Sequence, residues 1–138
     1  MVHRWAARLL GRLRALELPA EDYAVFGSGP LAVRGLIEHI GDLDVVARGP
    51  AWRKAAAYGP VRAASGGDRV VRLEGGTIEI FDGWLGWDTD AIIDGAETIE
   101  GLPFAHLEDV QAFKLHHGRP KDLEHARLLA EHLRGDPS

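Results

Sequence analysis

Apolar residues recur along the chain at two spacings, one typical of helices and one typical of strands. In residues 2–16, Trp5, Leu9, Leu13 and Leu16 follow one another at intervals of four, four and three, which predicts an amphipathic helix. The arginines of this segment would suit a membrane surface, but in a chain of this size we expect the helix to dock on the core. Helical spacing and end signals predict further helices at residues 31–40, 51–58, 106–117 and 121–133.

Short apolar runs between these helices predict the strands. Four such runs lie at residues 23–26, 43–47, 69–73 and 77–81. The last two flank Glu74-Gly75-Gly76, a sequence that favours a hairpin turn. One more short strand is expected at residues 97–100. This order of elements predicts a mixed α/β (α+β) fold, with a small mixed sheet flanked by helices and a C-terminal helical cap.

The composition limits the class of protein. The chain has 138 residues, 46% of them hydrophobic and none of them cysteine, which suits a single domain over residues 1–138. The lack of cysteine excludes disulfides and cysteine-based zinc sites. No apolar run approaches the roughly 20 residues that cross a bilayer, and the net charge of −5 argues against a general nucleic-acid coat. We therefore expect a cytoplasmic protein with a frayed end at residues 135–138.

The turn after the first predicted strand has the composition of a phosphate-binding turn. Gly27 and Gly29 allow backbone N–H groups to approach an anion closely, and Ser28 adds a hydroxyl at the start of a helix. An ordinary strand-to-helix connection has the same composition. The turn by itself does not choose between these two interpretations.

Three acidic residues have the spacing of metal ligands. Asp42 and Asp44 lie two residues apart at the start of a strand, so both carboxylates face one way. Glu79 faces away from the core on a later strand, and if the two strands are neighbours the three acids converge in a set that suits Mg²⁺. Taken singly, each acid also fits a turn or a solvated strand position. Asp82 has the opposite parity and would join the others only through a bulge.

The combination of these motifs resembles a known signature. Gly27-Ser28, then thirteen residues, then Asp42-x-Asp44, with Glu79 on a later strand, is similar to the pattern of the nucleotidyltransferase superfamily, the group related to DNA polymerase β. The resemblance implies that Gly27 and Ser28 hold the phosphates of a nucleotide. It also implies that Asp42, Asp44 and Glu79 are catalytic and bind Mg²⁺, with two ions expected, and that Glu79 helps activate the attacking hydroxyl.

Two segments of the C-terminal third resemble motifs of abortive-infection toxin nucleotidyltransferases and of bacterial relatives that modify small molecules such as antibiotics. One segment ends in Lys114, and the other is Arg119-Pro120-Lys121-Asp122. The resemblance implies that Lys114, Arg119, Lys121 and Asp122 face the nucleotide across a cleft. The residues alone also allow a lysine that reaches solvent, a solvated loop, and an aspartate beside a helix dipole. The toxin pattern continues with a second aspartate, where this chain has His125.

Histidines and tryptophans give two weaker signals. The C-terminal helices carry histidines at positions 116, 117, 125 and 132. Only His125 and His132 share a helix face and no third ligand is evident, so a solvated surface is expected rather than a zinc site. Trp84 and Trp87 follow the predicted strand of Glu79, and their loop is either a buried tryptophan pair or a binding loop for an acceptor.

Together these features predict a Mg²⁺-dependent enzyme that moves a nucleoside monophosphate from an NTP to a hydroxyl of a small-molecule or macromolecular acceptor. The acidic balance disfavours nucleic acid as the acceptor, and no membrane association is expected. The alternative is a non-catalytic or regulatory module of the same fold that binds a partner protein, as in toxin–antitoxin pairs. A fold does not by itself choose the acceptor.

Overall fold

A computed structural model describes residues 4–135 of the chain. The start of the predicted first helix and nearly all of the predicted frayed end, residues 135–138, lie outside this range. The side chain of Trp5 is also outside what the structure describes. Within residues 4–135, no helix is long and apolar enough to cross a membrane.

The described residues form a mixed α/β structure with a seven-stranded mixed sheet and six α-helices. The helices are α1 Arg4–Ala15, α2 Gly29–Val33, α3 Gly49–Ala56, α4 Thr89–Asp94, α5 Leu107–His117 and α6 Pro120–Leu133. The strands are β1 Tyr23–Phe26, β2 Leu43–Ala47, β3 Val61–Ala63, β4 Arg69–Leu73, β5 Ile78–Phe81, β6 Glu97–Ile99 and β7 Leu102–Phe104. This architecture confirms the predicted mixed fold with helices at the C-terminal end.

The strands are ordered β3-β4-β5-β2-β1-β7-β6 across the sheet. The pairs β2–β5 and β1–β7 are parallel, and the other neighbouring pairs are antiparallel. The parallel pairing places Asp44 of β2 directly opposite Glu79 of β5. The strand that begins after Asp42 and the strand of Glu79 are therefore neighbours, as the predicted convergence of the three acids requires.

Each face of the sheet carries its own hydrophobic core. On β2, Leu43 and Val45 belong to the core that includes Leu9 and Leu13 of α1. Val46 belongs to the second core, where residues of α4, α5 and α6 pack. Because side chains alternate along a strand, Asp44 lies on the same face as Val46, the face covered by the C-terminal helices. The burial of Leu9 and Leu13 also confirms that α1 docks on the core.

The predicted helix at residues 31–40 is wrong in extent. The helix α2 spans only Gly29–Val33, because the chain turns at Arg34 and then enters the left-handed region at Gly35, with φ +75°. The apolar residues that suggested a longer helix still point inward: Ile40 is buried and Ile37 packs against both cores. Burial without helical backbone produced the misleading pattern.

Three short elements were not predicted. The strand β3 is fully exposed and pairs only with β4, so it has no hydrophobic signature. The helix α4 has six residues and begins after Asp88, whose side chain accepts a hydrogen bond from the N–H of Ala91. The strand β7 contains Pro103, a residue that normally argues against a strand.

Candidate functional site

Asp42, Asp44 and Glu79 come together at the edge where β2 begins, and we call them the acidic triad. One carboxylate oxygen from each residue lies within 4.8 Å of the others. Among residues 4–135 this is the only group of three or more acidic or histidine side chains close enough to hold a metal ion. The predicted convergence of the three acids is confirmed. The histidines at positions 116, 117, 125 and 132 form no such group within the described residues.

Burial and neighbouring carboxylates raise the pKa values of Asp42 and Asp44 in the acidic triad. Burial, followed by the charges of Asp42 and Glu79, raises the pKa of Asp44 to about 7, and Lys114 opposes this in part. The pKa of Asp42 is raised by burial and by a hydrogen bond and charge from Glu79, while Lys121 lowers it. A bound cation would relieve this repulsion, and oxygen-only ligands are the set that Mg²⁺ prefers.

Glu79 is held by a neighbour on the next strand. Arg72 of β4 lies directly opposite Glu79 in the sheet, and its Nε donates a hydrogen bond of 2.7 Å to Glu79 Oε2. Arg72, Glu79, Asp44 and Phe26 thus form one row across four strands. Arg72 occupies one oxygen of the third acid and leaves the other oxygen for a ligand.

The turn after β1 presses directly against the acidic triad. Gly27 adopts φ +63°, and a Cβ at this position would lie 2.7 Å from Oδ2 of Asp44. Only glycine allows the backbone to pass so close to the carboxylate. Because α2 has only five residues, the turn offers the Ser28 hydroxyl and nearby backbone groups rather than the dipole of a long helix.

Lys114 of α5 is buried rather than reaching solvent, with 3% of its side chain exposed. Its Nζ donates a hydrogen bond of 2.8 Å to Ser28 Oγ and lies 3.5 Å from Asp122 Oδ1. Burial lowers the pKa of Lys114, while Asp122 raises it in part. The interpretation of Lys114 as a lysine that extends into solvent is therefore wrong.

Asp122 of α6 is completely buried and paired with two cations. Arg119 Nε donates a hydrogen bond of 2.7 Å to its Oδ2, and Lys114 faces its Oδ1. Burial alone would raise the pKa of Asp122, but the hydrogen bond from Arg119 and the charge of Lys114 lower it overall. Asp122 thus acts as a buried counter-ion, which is more than a favourable charge beside a helix dipole.

A cavity of about 330 Å³ separates the acidic triad from the basic residues of α5 and α6. Seven of the nine predicted site residues line this cavity: Gly27, Ser28, Asp42, Asp44, Lys114, Arg119 and Lys121. Glu79 and Asp122 stand behind these walls, in contact with residues that line the cavity. The sheet and the C-terminal helices therefore bring together the two halves of the predicted site.

Phe81, Trp84 and Phe113 give the same cavity an aromatic part, of which the sequence pattern pointed only to Trp84. Trp84 is buried and its ring packs against Phe26, Phe81 and Phe113, with ring centroids 5.1 to 5.2 Å apart. Leu85, in the left-handed region at φ 52°, lies exposed at the rim, where its N–H donates to Asp68. Of the two predicted possibilities, burial is confirmed for Trp84, which also lines the cavity, whereas Trp87 is half-buried and acceptor binding by this loop stays a prediction.

His125 of α6 is another residue of the site that the sequence prediction missed. It was expected on a solvated surface, but it is buried, with its Nδ1 3.1 Å from Lys114 Nζ. Burial and the charges of Lys114 and Lys121 lower its pKa to about 4, so it is neutral at physiological pH. One feature of the sequence could have indicated this burial. His125 lies three residues after Asp122, and residues three apart share a helix face.

Comparison of the chain with protein-family models, with curated proteins and with solved structures gave no match. The family resemblance therefore stays a prediction from the motifs.

Proposed function

We propose that this chain has the nucleotidyltransferase fold and is a Mg²⁺-dependent enzyme that transfers a nucleoside monophosphate from an NTP to an acceptor hydroxyl. The observation that carries the proposal is the cavity with opposite walls. Asp42, Asp44 and Glu79 meet on its acidic side, and Arg119 and Lys121 lie on its basic side. An NTP with Mg²⁺ has the charges that would satisfy both walls.

The acidic triad fits Mg²⁺ by its chemistry. Its members offer hard oxygen ligands, and the pKa values of Asp42 and Asp44, raised by burial and by neighbouring carboxylates, reflect a cost that a divalent cation would remove. When bound, Mg²⁺ supplies charge neutralisation on the phosphates and acidifies a bound hydroxyl. Asp42 and Asp44 would hold the metal, and Glu79 would share it from the neighbouring strand.

The remaining residues position the triphosphate. Ser28 and the backbone of Gly27 lie beside Asp44, so a phosphate held there would be adjacent to the acidic triad. Arg119 and Lys121 would attract the β- and γ-phosphates as pyrophosphate leaves, and most of the rate would come from positioning and charge stabilisation.

The reaction forms one bond and breaks one bond at the α-phosphorus. The acceptor oxygen bonds to the α-phosphorus as the bond to the β-phosphate oxygen breaks. The hydroxyl proton passes to a carboxylate of the acidic triad. Pyrophosphate leaves along the basic wall of Arg119 and Lys121.

The direct test is thermal stability with each NTP, with and without Mg²⁺. Wild type should gain about 2.7 kcal/mol when the nucleotide reaches about 100 times its Kd. The double variant Asp42→Asn/Asp44→Asn should lose this gain, whereas Glu108→Gln, an exposed acid on α5, should keep it. A wild type that is not stabilised by any NTP at millimolar concentration would contradict the proposal.

A second candidate function is a regulatory module that binds a partner protein, as in toxin–antitoxin pairs. It is favoured by exposed leucines on the two C-terminal helices, Leu115 with 56% and Leu123 with 49% of its surface exposed. Copurification with one protein at fixed stoichiometry, together with no response to NTP, would support the module over the enzyme.

A further inference from the structure

Lys114 has its hydrogen-bonding capacity filled inside the protein. Its Nζ lies 2.8 Å from Ser28 Oγ, 3.1 Å from His125 Nδ1 and 3.5 Å from Asp122 Oδ1. An ammonium group has three N–H donors, and here each one faces an acceptor. Lys114 could contact a phosphate directly only by giving up one of these partners. Its effect on a nucleotide is therefore exerted mainly through Ser28.

His125 completes this arrangement without adding charge. Its Nδ1 accepts from Lys114, which places the ring proton on Nε2. The charges of Lys114 and Asp122 cancel, while Arg119 and Lys121 keep the cavity wall positive. A carboxylate at position 125 would add one negative charge a few ångströms from Ser28, on the side where the phosphates are expected.

The contact with His125 also orients the hydroxyl of Ser28. Ser28 Oγ accepts from Lys114 and lies 3.4 Å from His125 Nδ1. Because the lone pair of Nδ1 is already used by Lys114, the Ser28 hydroxyl hydrogen is left to point toward the cavity that Ser28 lines. In this orientation Ser28 is a donor to a phosphate oxygen.

We propose that His125 is a positioning residue for the phosphate site, a neutral acceptor that holds Lys114 on Ser28 so that the Ser28 hydroxyl donates into the cavity. The inference rests on the proposed nucleotide function and specifies how its phosphates are recognised. It places the direct phosphate contact on Ser28 and assigns Lys114 to its support.

Three substitutions of His125 separate acceptor, charge and packing. His125→Asn keeps a neutral acceptor, His125→Leu keeps apolar bulk without one, and His125→Asp adds a charge. The affinities for ATP and for inorganic triphosphate, measured by calorimetry with Mg²⁺, should stay within about threefold of wild type for Asn. They should fall about tenfold or more for Leu, since hydrogen bonds to charged groups contribute on this scale. A similar fall is expected for Asp, because its negative charge repels the phosphates.

Thermal stability distinguishes positioning from a structural role. His125→Leu and His125→Asn both replace the ring with a side chain of smaller but similar bulk, so their melting temperatures should lie close together while triphosphate affinity is about tenfold lower for Leu. Affinities that simply follow melting temperature across the three variants would overturn the proposal. Undiminished affinity in His125→Asp would overturn it as well.

A double-mutant cycle tests whether His125 acts through Ser28. Ser28→Ala should weaken triphosphate binding about tenfold, and adding His125→Leu should weaken it little further, because the two residues serve one contact. Fully additive losses would refute the pathway through Ser28. Wild type that binds no triphosphate would reject the proposed function itself, whereas wild type that binds while every His125 variant binds equally would reject this inference alone.

Discussion

The metal-free protein should lose stability as the pH rises through neutrality, and Asp44 should be the main cause. Its pKa is about 7 in the folded protein against an ordinary value of 3.8. Between these values the folded state holds a proton that the unfolded chain has released, so the free energy of unfolding decreases as the pH increases. The stabilisation that Asp44 gives by staying protonated is fully present below about pH 3.8 and is lost above about pH 7.

The size of this effect follows from the shift. A difference of about three pKa units corresponds to about 4 kcal/mol, at 1.36 kcal/mol per unit. This is an upper limit, because Asp44 lines the cavity and solvent screens part of the repulsion. The raised pKa of Asp42 acts in the same direction. The variant Asp44→Asn keeps the shape of the side chain without its charge, so it should be more stable than wild type at about pH 8 and less sensitive to pH.

The assay is urea unfolding in EDTA between about pH 5 and pH 8. About two of the three pKa units fall within this range, which corresponds to about 2.7 kcal/mol. With a slope near 2 kcal/mol per molar urea, the midpoint would therefore move by about 1.3 M. Glu108→Gln is the control and should follow wild type. Adding Mg²⁺ should stabilise wild type more at the higher pH and should stabilise Asp44→Asn little. Asp44→Asn that is less stable than wild type at about pH 8 in EDTA would refute this account of the acidic triad.

Two further substitutions test individual contacts. Gly27→Ala should cost at least about 2 kcal/mol, because its Cβ would lie 2.7 Å from a carboxylate oxygen of the acidic triad at positive φ. Gly75→Ala has a similar φ but open space around it, and should cost about 1 kcal/mol in the same thermal denaturation; equal costs would contradict the close approach. Arg72→Ala frees Glu79 and should tighten Mg²⁺ binding about two- to fivefold by calorimetry. Arg62→Ala, an exposed arginine on β3, should leave Mg²⁺ binding unchanged, and weaker binding in Arg72→Ala would show that the ion pair supports the site.

The local parts of the fold could be predicted from the sequence. The hairpin of β4 and β5 lies where its glycine-rich turn places it, and β1 and β2 have the predicted bounds. The parity of Asp44 and Glu79 was correct because side chains alternate along a strand. That the two strands are parallel neighbours depends on the order of the whole sheet, and the local pattern contains no information about it.

The buried half of the site illustrates the limit more sharply. Lys114 and His125 look like surface residues because most lysines and histidines on helices are exposed. Their burial depends on α5 and α6 packing against the turn of Ser28, and Ser28 and His125 are 97 positions apart in the chain. Only the resemblance to known motifs pointed to Lys114. It gave no role to His125, where the chain departs from the pattern.

The row of Arg72, Glu79, Asp44 and Phe26 has a consequence for folding kinetics. Asp44 and Glu79 come from strands that are far apart in the chain and become neighbours only when the sheet assembles, so the repulsion between them begins after β2 and β5 have paired. If this pairing follows the rate-limiting step, the repulsion raises the energy of the native state without slowing the approach to it, and it appears as faster unfolding. By removing that repulsion, Mg²⁺ would determine how long the folded state lasts rather than how quickly it forms.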